Sequence, residues 1–192
     1  MLRVGRRLAL VILILSASCA EPPPKEINQA QGAIDAARAA GADRFAAAEF
    51  AAATDALKRS EDAVAGGDYR LALNHAIDSR ERAQSAAKMA VEVRADARGQ
   101  AERAIAEVAT LISRAQAQLK DPDIVRLNVR TLRAPRATVA AADKMLQEAR
   151  SALAGENYAA VTTALNGVAD DLQAALTEID AVASPRSSRR KR

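Results

Sequence analysis

Tyr69, Ala76, Ala83, Ala90, Ala97, Ala104 and Leu111 recur at steps of seven, and no other property of this chain limits its fold so strongly. A repeat of seven keeps one side of an α-helix turned toward a partner helix, so the segment reads as one long, coiled-coil-like rod. Unbroken from Asp68 to Leu119, it would run about 75 Å at 1.5 Å per residue. Gly99 is its weak point, costing roughly 1 kcal/mol relative to alanine, and a break near Arg98 to Gln100 is the open alternative. Hydrophobic residues form 49% of the chain but aromatic residues only 2%, and alanine supplies much of the difference. Alanine buries too little to hold a thick core, yet it is the best helix former and lets neighbouring backbones approach. The expected fold is all-α: an elongated helical bundle of long coiled-coil-like helices, with a duplicated helical hairpin as its candidate plan.

The rest of the chain divides around that rod. A Pro-rich spacer is expected over 20–25 and a helical body over 26–184, with halves of about 26–100 and 101–184. The first helix spans about Glu26 to Ala40, with Ile27, Ala30, Ile34 and Ala37 on one face, and Gly41 ends it. The second spans Phe45 to Ala65, with Phe50, Ala53, Leu57 and Val64 on a stripe whose polar member is Glu61. Gly66 and Gly67 suit a helix end, and Asp68 suits the cap of the next helix. Asp121-Pro122 reads as the start of a short helix carrying Ile124, Leu127 and Leu132, and Pro135 begins another with the seam Val139, Ala142, Leu146, Ala149 and Leu153. After Gly155-Glu156-Asn157, a last helix alternates steps of three and four through Tyr158, Val161, Leu165, Val168, Leu172, Ala175, Ile179 and Val182. Ser184-Pro185 stops it.

Shifting the chain by 89 residues lays Tyr69 on Tyr158, Leu57 on Leu146, Ala63 on Ala152, Ala65 on Ala154 and Gly66 on Gly155. The segment Ala63 to Ala72 resembles the inter-helix turn of tetratricopeptide repeats, which implies that Gly66, Gly67, Tyr69, Gly155 and Tyr158 pack at hairpin elbows. Those repeats recur about every 34 residues, and these do not. From Ile27 to Ala90 the run Ala39-Ala40-Gly41-Ala42, Leu57 and Gly67-Asp68-Tyr69 with its spaced alanines resembles the bacterial envelope family catalogued as domain of unknown function 4398. That resemblance implies a short, exported, helical lipoprotein and brings no catalytic residue.

Ahead of the body, a basic start from Met1 to Arg7 precedes an apolar run from Leu8 to Leu15, too short to span a bilayer and right for a signal peptide over 1–19. Leu15-Ser16-Ala17-Ser18-Cys19 resembles the lipobox of bacterial lipoproteins, although that family places Leu where this chain has Ser16. The resemblance implies lipid attachment at Cys19 and, with Ala20 following, an outer-membrane position on the periplasmic side. Cleavage after Ala20 is the alternative and would give a soluble periplasmic protein. Cys19 is the only cysteine, so the chain forms no internal disulfide.

The net charge of +4 mixes regions. Residues 20–185 hold 20 basic and 24 acidic residues, a net charge of −4, so the pI argues for no nucleic-acid partner. Arg186, Arg189, Arg190, Lys191 and Arg192 form a basic tail over 185–192, expected to be disordered and to contact anionic polymer such as peptidoglycan or anionic lipid. A lipid at one end and a basic terminus at the other resemble the murein lipoproteins of enteric bacteria.

His75 is the single histidine, so usual zinc sets cannot assemble in one chain, and it reads as surface. Asp121 and Asp123 read as a helix start rather than a metal pair, and the scarce Tyr69 and Tyr158 as packing rather than recognition. No cofactor and no catalytic or metal-binding residue is expected. The leading reading is a non-enzymatic, lipid-anchored periplasmic scaffold or adaptor whose seams bind an envelope partner or another copy; the alternative is a soluble, tetratricopeptide-like module for a peptide or small ligand.

Overall fold

The computed structural model describes residues 21–125 and 130–183, and all regular structure among them is α-helical. Two compact units meet in sequence between Arg94 and Ala95. In the first, α1 spans Pro24–Ala39, α2 Ala42–Phe45, α3 Ala47–Ala65, and α4 begins at Tyr69. In the second, α4 continues to Lys120 and is followed by α5 (Pro122–Val125), α6 (Arg133–Ala154), α7 (Tyr158–Leu165) and α8 (Val168–Ala183).

Pro24 occupies the start of α1, where a missing N–H costs nothing, so Pro24 and Lys25 are helical rather than part of the expected spacer. Gly41 turns the chain with φ +84, and a Cβ there would come within 3.3 Å of the Phe45 ring. The expected second helix therefore starts later than Phe45. That residue ends the single turn α2, and Ala46 leaves helical geometry at φ −140 and ψ 42 before α3 begins. Phe45 and Phe50 flank a core of Ala30, Ile34, Ala37, Ala53, Leu57, Ala83, Ala86 and Ala90. Arg38 lies over the Phe50 ring and Arg44 over the Phe45 ring, at 5.5 and 5.2 Å from the centroids.

The buried stripe of α3 is Ala53, Ala56, Leu57, Ser60 and Ala63. Ser60, not Glu61, is its polar member, because Glu61 is exposed and Val64 only half-buried. Across the outer edge of α3 and α4, Arg82 pairs with Asp78 at 2.9 Å and with Glu49 at 3.5 Å, and Arg59 with Asp78 at 3.7 Å. Partly solvated pairs of this kind contribute about 0–1 kcal/mol each.

Gly99 lies inside α4, and the helix passes it without a break. The strict seven-residue series is buried only in part: Ala76, Ala83 and Ala90 are fully covered, while Tyr69, Ala97, Ala104 and Leu111 are half-buried. A straight helix drifts about 20° per heptad against such a repeat. Accordingly the companion positions change from three residues after the series (Ala72, Ser79, Ala86) to four residues after it (Ala101, Val108, Ala115).

In the second unit Leu132 is not on the short helix after Pro122. It stands at the N-cap of α6, fully buried, beside Ile124 and Ile179. Helix α6 starts at Arg133, so Pro135 is its third residue and buried; Leu127 lies outside the described residues. Val139, Ala142, Leu146 and Ala149 form the buried seam, with Leu153 half-buried at its end. The expected last helix is two helices. Asn166 is extended (φ −61, ψ 122) and Gly167 left-handed (φ +76), an Asn-Gly turn that cuts the hydrogen-bond ladder while Leu165 and Val168 stay buried on both sides. Gln118 donates from Nε2 to Oδ1 of Asp180 at 3.0 Å, tying α4 to α8.

Candidate functional site: two copies of a helical elbow

The 89-residue echo extends to individual hydrogen bonds. After α3, Gly66 donates to the carbonyl of Asp62 at 3.0 Å, Gly67 to Val64 at 3.0 Å and Asp68 to Ala63 at 2.9 Å. After α6, Gly155 donates to Ser151 at 3.1 Å, Glu156 to Leu153 at 3.0 Å and Asn157 to Ala152 at 2.9 Å. The caps correspond as well: Asp68 Oδ1 accepts from the Leu71 N–H at 2.9 Å and Asn157 Oδ1 from the Ala160 N–H at 3.2 Å. Each elbow thus satisfies the carbonyls at one helix end and an amide at the start of the next.

The residue that needs left-handed geometry is the second of each pair. Gly67 has φ +75 and Glu156, its equivalent, has φ +54. Gly66 and Gly155 have ordinary φ values of −81 and −85, and a Cβ on either would make only normal contacts at 3.6 Å. Left-handed backbone therefore favours glycine at Gly67, whereas the ordinary backbone at Gly66 and Gly155 does not call for one. Tyr158 is buried, whereas Tyr69 is half-buried.

Beside the first elbow lie two polar contacts that sequence reasoning missed. The Ser60 hydroxyl on α3 donates to the Ala72 carbonyl on α4 at 2.7 Å, and the Ser79 hydroxyl on α4 donates to the Ala53 carbonyl on α3 at 2.8 Å. Both serines are fully buried. The accepting carbonyls use a second lone pair while remaining in their helices. The available signal was spacing: Ser60 falls seven residues after Ala53, and Ser79 three after Ala76.

His75 is half-buried on α4 rather than fully solvated. Among the described residues no three His, Cys, Asp or Glu side chains are grouped to hold a metal ion. Asp121 accepts from the Ile124 N–H through its backbone carbonyl at 3.0 Å, which starts α5; the Asp123 side chain lies outside the description. Arg98 is held further toward its charged form by a 2.7 Å hydrogen bond to Glu102 and by that carboxylate's charge. Cys19 and the basic run Arg186, Arg189, Arg190, Lys191 and Arg192 lie outside the described residues. None of the described helices is long and apolar enough to cross a membrane. Comparison with protein-family models, curated proteins and solved structures gives no match to this chain.

Proposed function

We propose that the chain is a lipid-anchored, non-enzymatic helical scaffold or adaptor of the bacterial envelope, held at the periplasmic face of the outer membrane through Cys19. The observation that carries this reading is the run Leu15-Ser16-Ala17-Ser18-Cys19 at the end of a short apolar stretch, with a helical body beginning only a few residues later at Pro24. Lipid there would set the body close to a bilayer surface, because five residues reach at most about 17 Å. The resemblance to the domain of unknown function 4398 family supports the same location. The polar groups buried in the first unit's seam, Ser60 and Ser79, are used to tie one helix to another. The basic segment 185–192 then supplies an electrostatic contact to anionic envelope polymer.

The test is mass spectrometry of the mature protein with membrane fractionation. An acylated N-terminal cysteine and a membrane-bound pool that Cys19→Ala releases are the expected results. A mature protein starting at Glu21 without lipid would refute the anchor. Removing residues 185–192 should abolish salt-sensitive retention on purified peptidoglycan or anionic vesicles, and equal retention of both forms would remove the tail from the proposal.

A further inference from the structure

Asn166 and Gly167 stand exposed between α7 and α8, and a Cβ built on Gly167 would meet nothing within 4 Å, so water reaches the pair. Asn166 has φ −61 and ψ 122 and Gly167 has φ +76, angles of the two central residues of a type II turn. The Asn166 N–H donates to the Thr163 carbonyl at 3.4 Å, and the Gly167 carbonyl accepts from the Asp171 N–H at 3.0 Å. Between those bonds, the Asn166 carbonyl, the Gly167 N–H and the Asn166 side-chain amide make no hydrogen bond among the described residues. That peptide unit can therefore turn about the Asn166 Cα–C bond, and glycine accepts either sign of φ as it does so. Other asparagines are placed differently. Asn28 and Asn74 lie inside α1 and α4, where the following N–H belongs to the helix ladder. Asn157 Oδ1 is held by the Ala160 N–H at 3.2 Å, and the residue after it is the buried Tyr158.

We propose that Asn166 is a site of spontaneous deamidation in the folded protein, with the Gly167 nitrogen as nucleophile. That nitrogen gives its proton to hydroxide and bonds to Cγ of Asn166. The Cγ–Nδ2 bond breaks, and the side-chain nitrogen takes a proton from water and leaves as ammonia. The product is a five-membered succinimide, which water opens at either of its two carbonyl carbons. Opening at Cγ leaves aspartate in an ordinary backbone. Opening at the main-chain carbonyl carbon leaves isoaspartate, whose chain continues through Cβ and Cγ. In sum, one amide and one water become one carboxylic acid and one ammonia, with no oxidant and no cofactor. The isoaspartyl form adds one carbon to the main chain between Leu165 and Val168, both buried, so it disturbs the spacing that seats both in the seam. The site rests on the turn between α7 and α8 alone and does not depend on the lipid anchor.

The test incubates the full-length folded chain in warm, mildly alkaline buffer and follows each asparagine by peptide mass spectrometry, with enzymatic methylation to count isoaspartate. Asn166 should lose its amide at least about tenfold faster than Asn28, Asn74 or Asn157. The folded protein should react within about tenfold of the rate in denaturing urea, because the native turn leaves the attacking nitrogen unbonded. Asn166→Gln, which would have to close a larger ring, should abolish the reaction with unchanged circular dichroism. The isolated isoaspartyl form should unfold at lower urea than Asn166→Asp, which carries the same charge on a normal backbone. An Asn166 that survives as long as the helical asparagines overturns the proposal, as does a folded protein protected by more than about tenfold relative to urea. Equal urea midpoints for the isoaspartyl form and Asn166→Asp would overturn the claim that the added carbon disturbs the seam.

Discussion

The two units share one elbow and line the helix that follows it in opposite ways. At equivalent positions the first unit buries Ala72, Ala76, Ser79, Ala83 and Ala90, and the second buries Val161, Leu165, Val168, Leu172 and Ile179. Ahead of the elbow, Ser60 corresponds to Ala149 while Leu57 and Leu146 agree. Along this helix the first unit therefore coheres by close contact of small side chains, reinforced by two hydroxyl–carbonyl bonds across the seam. The second coheres by aliphatic volume, with no hydroxyl at either matching position. The same turn can serve both because it satisfies its own backbone and leaves the choice of seam free.

The largest effect should come from placing a charge in the aliphatic seam. Leu172→Asp buries a carboxylate without a partner and should cost more than about 4 kcal/mol, unfolding the second unit. Residue-resolved hydrogen exchange should show protection lost over α6 to α8 and kept in α1 to α3. Loss in both units at once would mean that they do not stand separately.

Exchanging lining residues tests the contrast directly. Leu172→Ala should leave a cavity costing about 2–5 kcal/mol, whereas Ala83→Leu, the reverse change at the matching position, should cost about 1–3 kcal/mol by overpacking. Urea denaturation reads both, and a neutral Ala83→Leu would show that the first seam has spare room. Ser79→Val imports the second unit's residue. It removes one hydroxyl bond and adds volume, for a loss of about 1–2 kcal/mol; a gain in stability would mean that the hydroxyl bonds contribute nothing net.

The smallest effects belong to the elbows. Gly67→Ala forces a side chain into left-handed backbone and should cost about 1 kcal/mol, while Glu156→Gly should be neutral or stabilising by up to about 1 kcal/mol. Equal responses at the two sites would contradict the difference in strain.

Periodicity made much of this legible. The seams of α1 and α6, the turn at Gly66-Gly67-Asp68 and the duplication follow from spacing and turn residues alone. What spacing does not report is continuity. Leu165 and Val168 keep a three-residue step across the Asn166-Gly167 turn, so the apolar pattern hides a break that only the turn chemistry betrays. Nor does it report which of two neighbours faces inward when one is polar and small. Spacing puts Glu61 on the α3 stripe in place of Ser60, because it does not register a hydroxyl that finds a carbonyl on the next helix. Local spacing does not place Leu132, because part of its burial comes from Ile179 on α8, which is distant in sequence. The elbow's geometry was legible as a turn, but not that Glu156 rather than Gly155 would carry the left-handed strain.

The Asn166-Gly167 turn also sets where the molecule opens. It leaves α7 eight residues long, well short of what persists as a helix in water, so α7 survives only while Tyr158, Val161 and Leu165 stay docked. Its amides should therefore exchange with solvent through local openings that do not require α6 or α8 to come apart. The second unit, whose aliphatic seam is the heavier of the two, thus carries within it a segment that can come and go on its own clock.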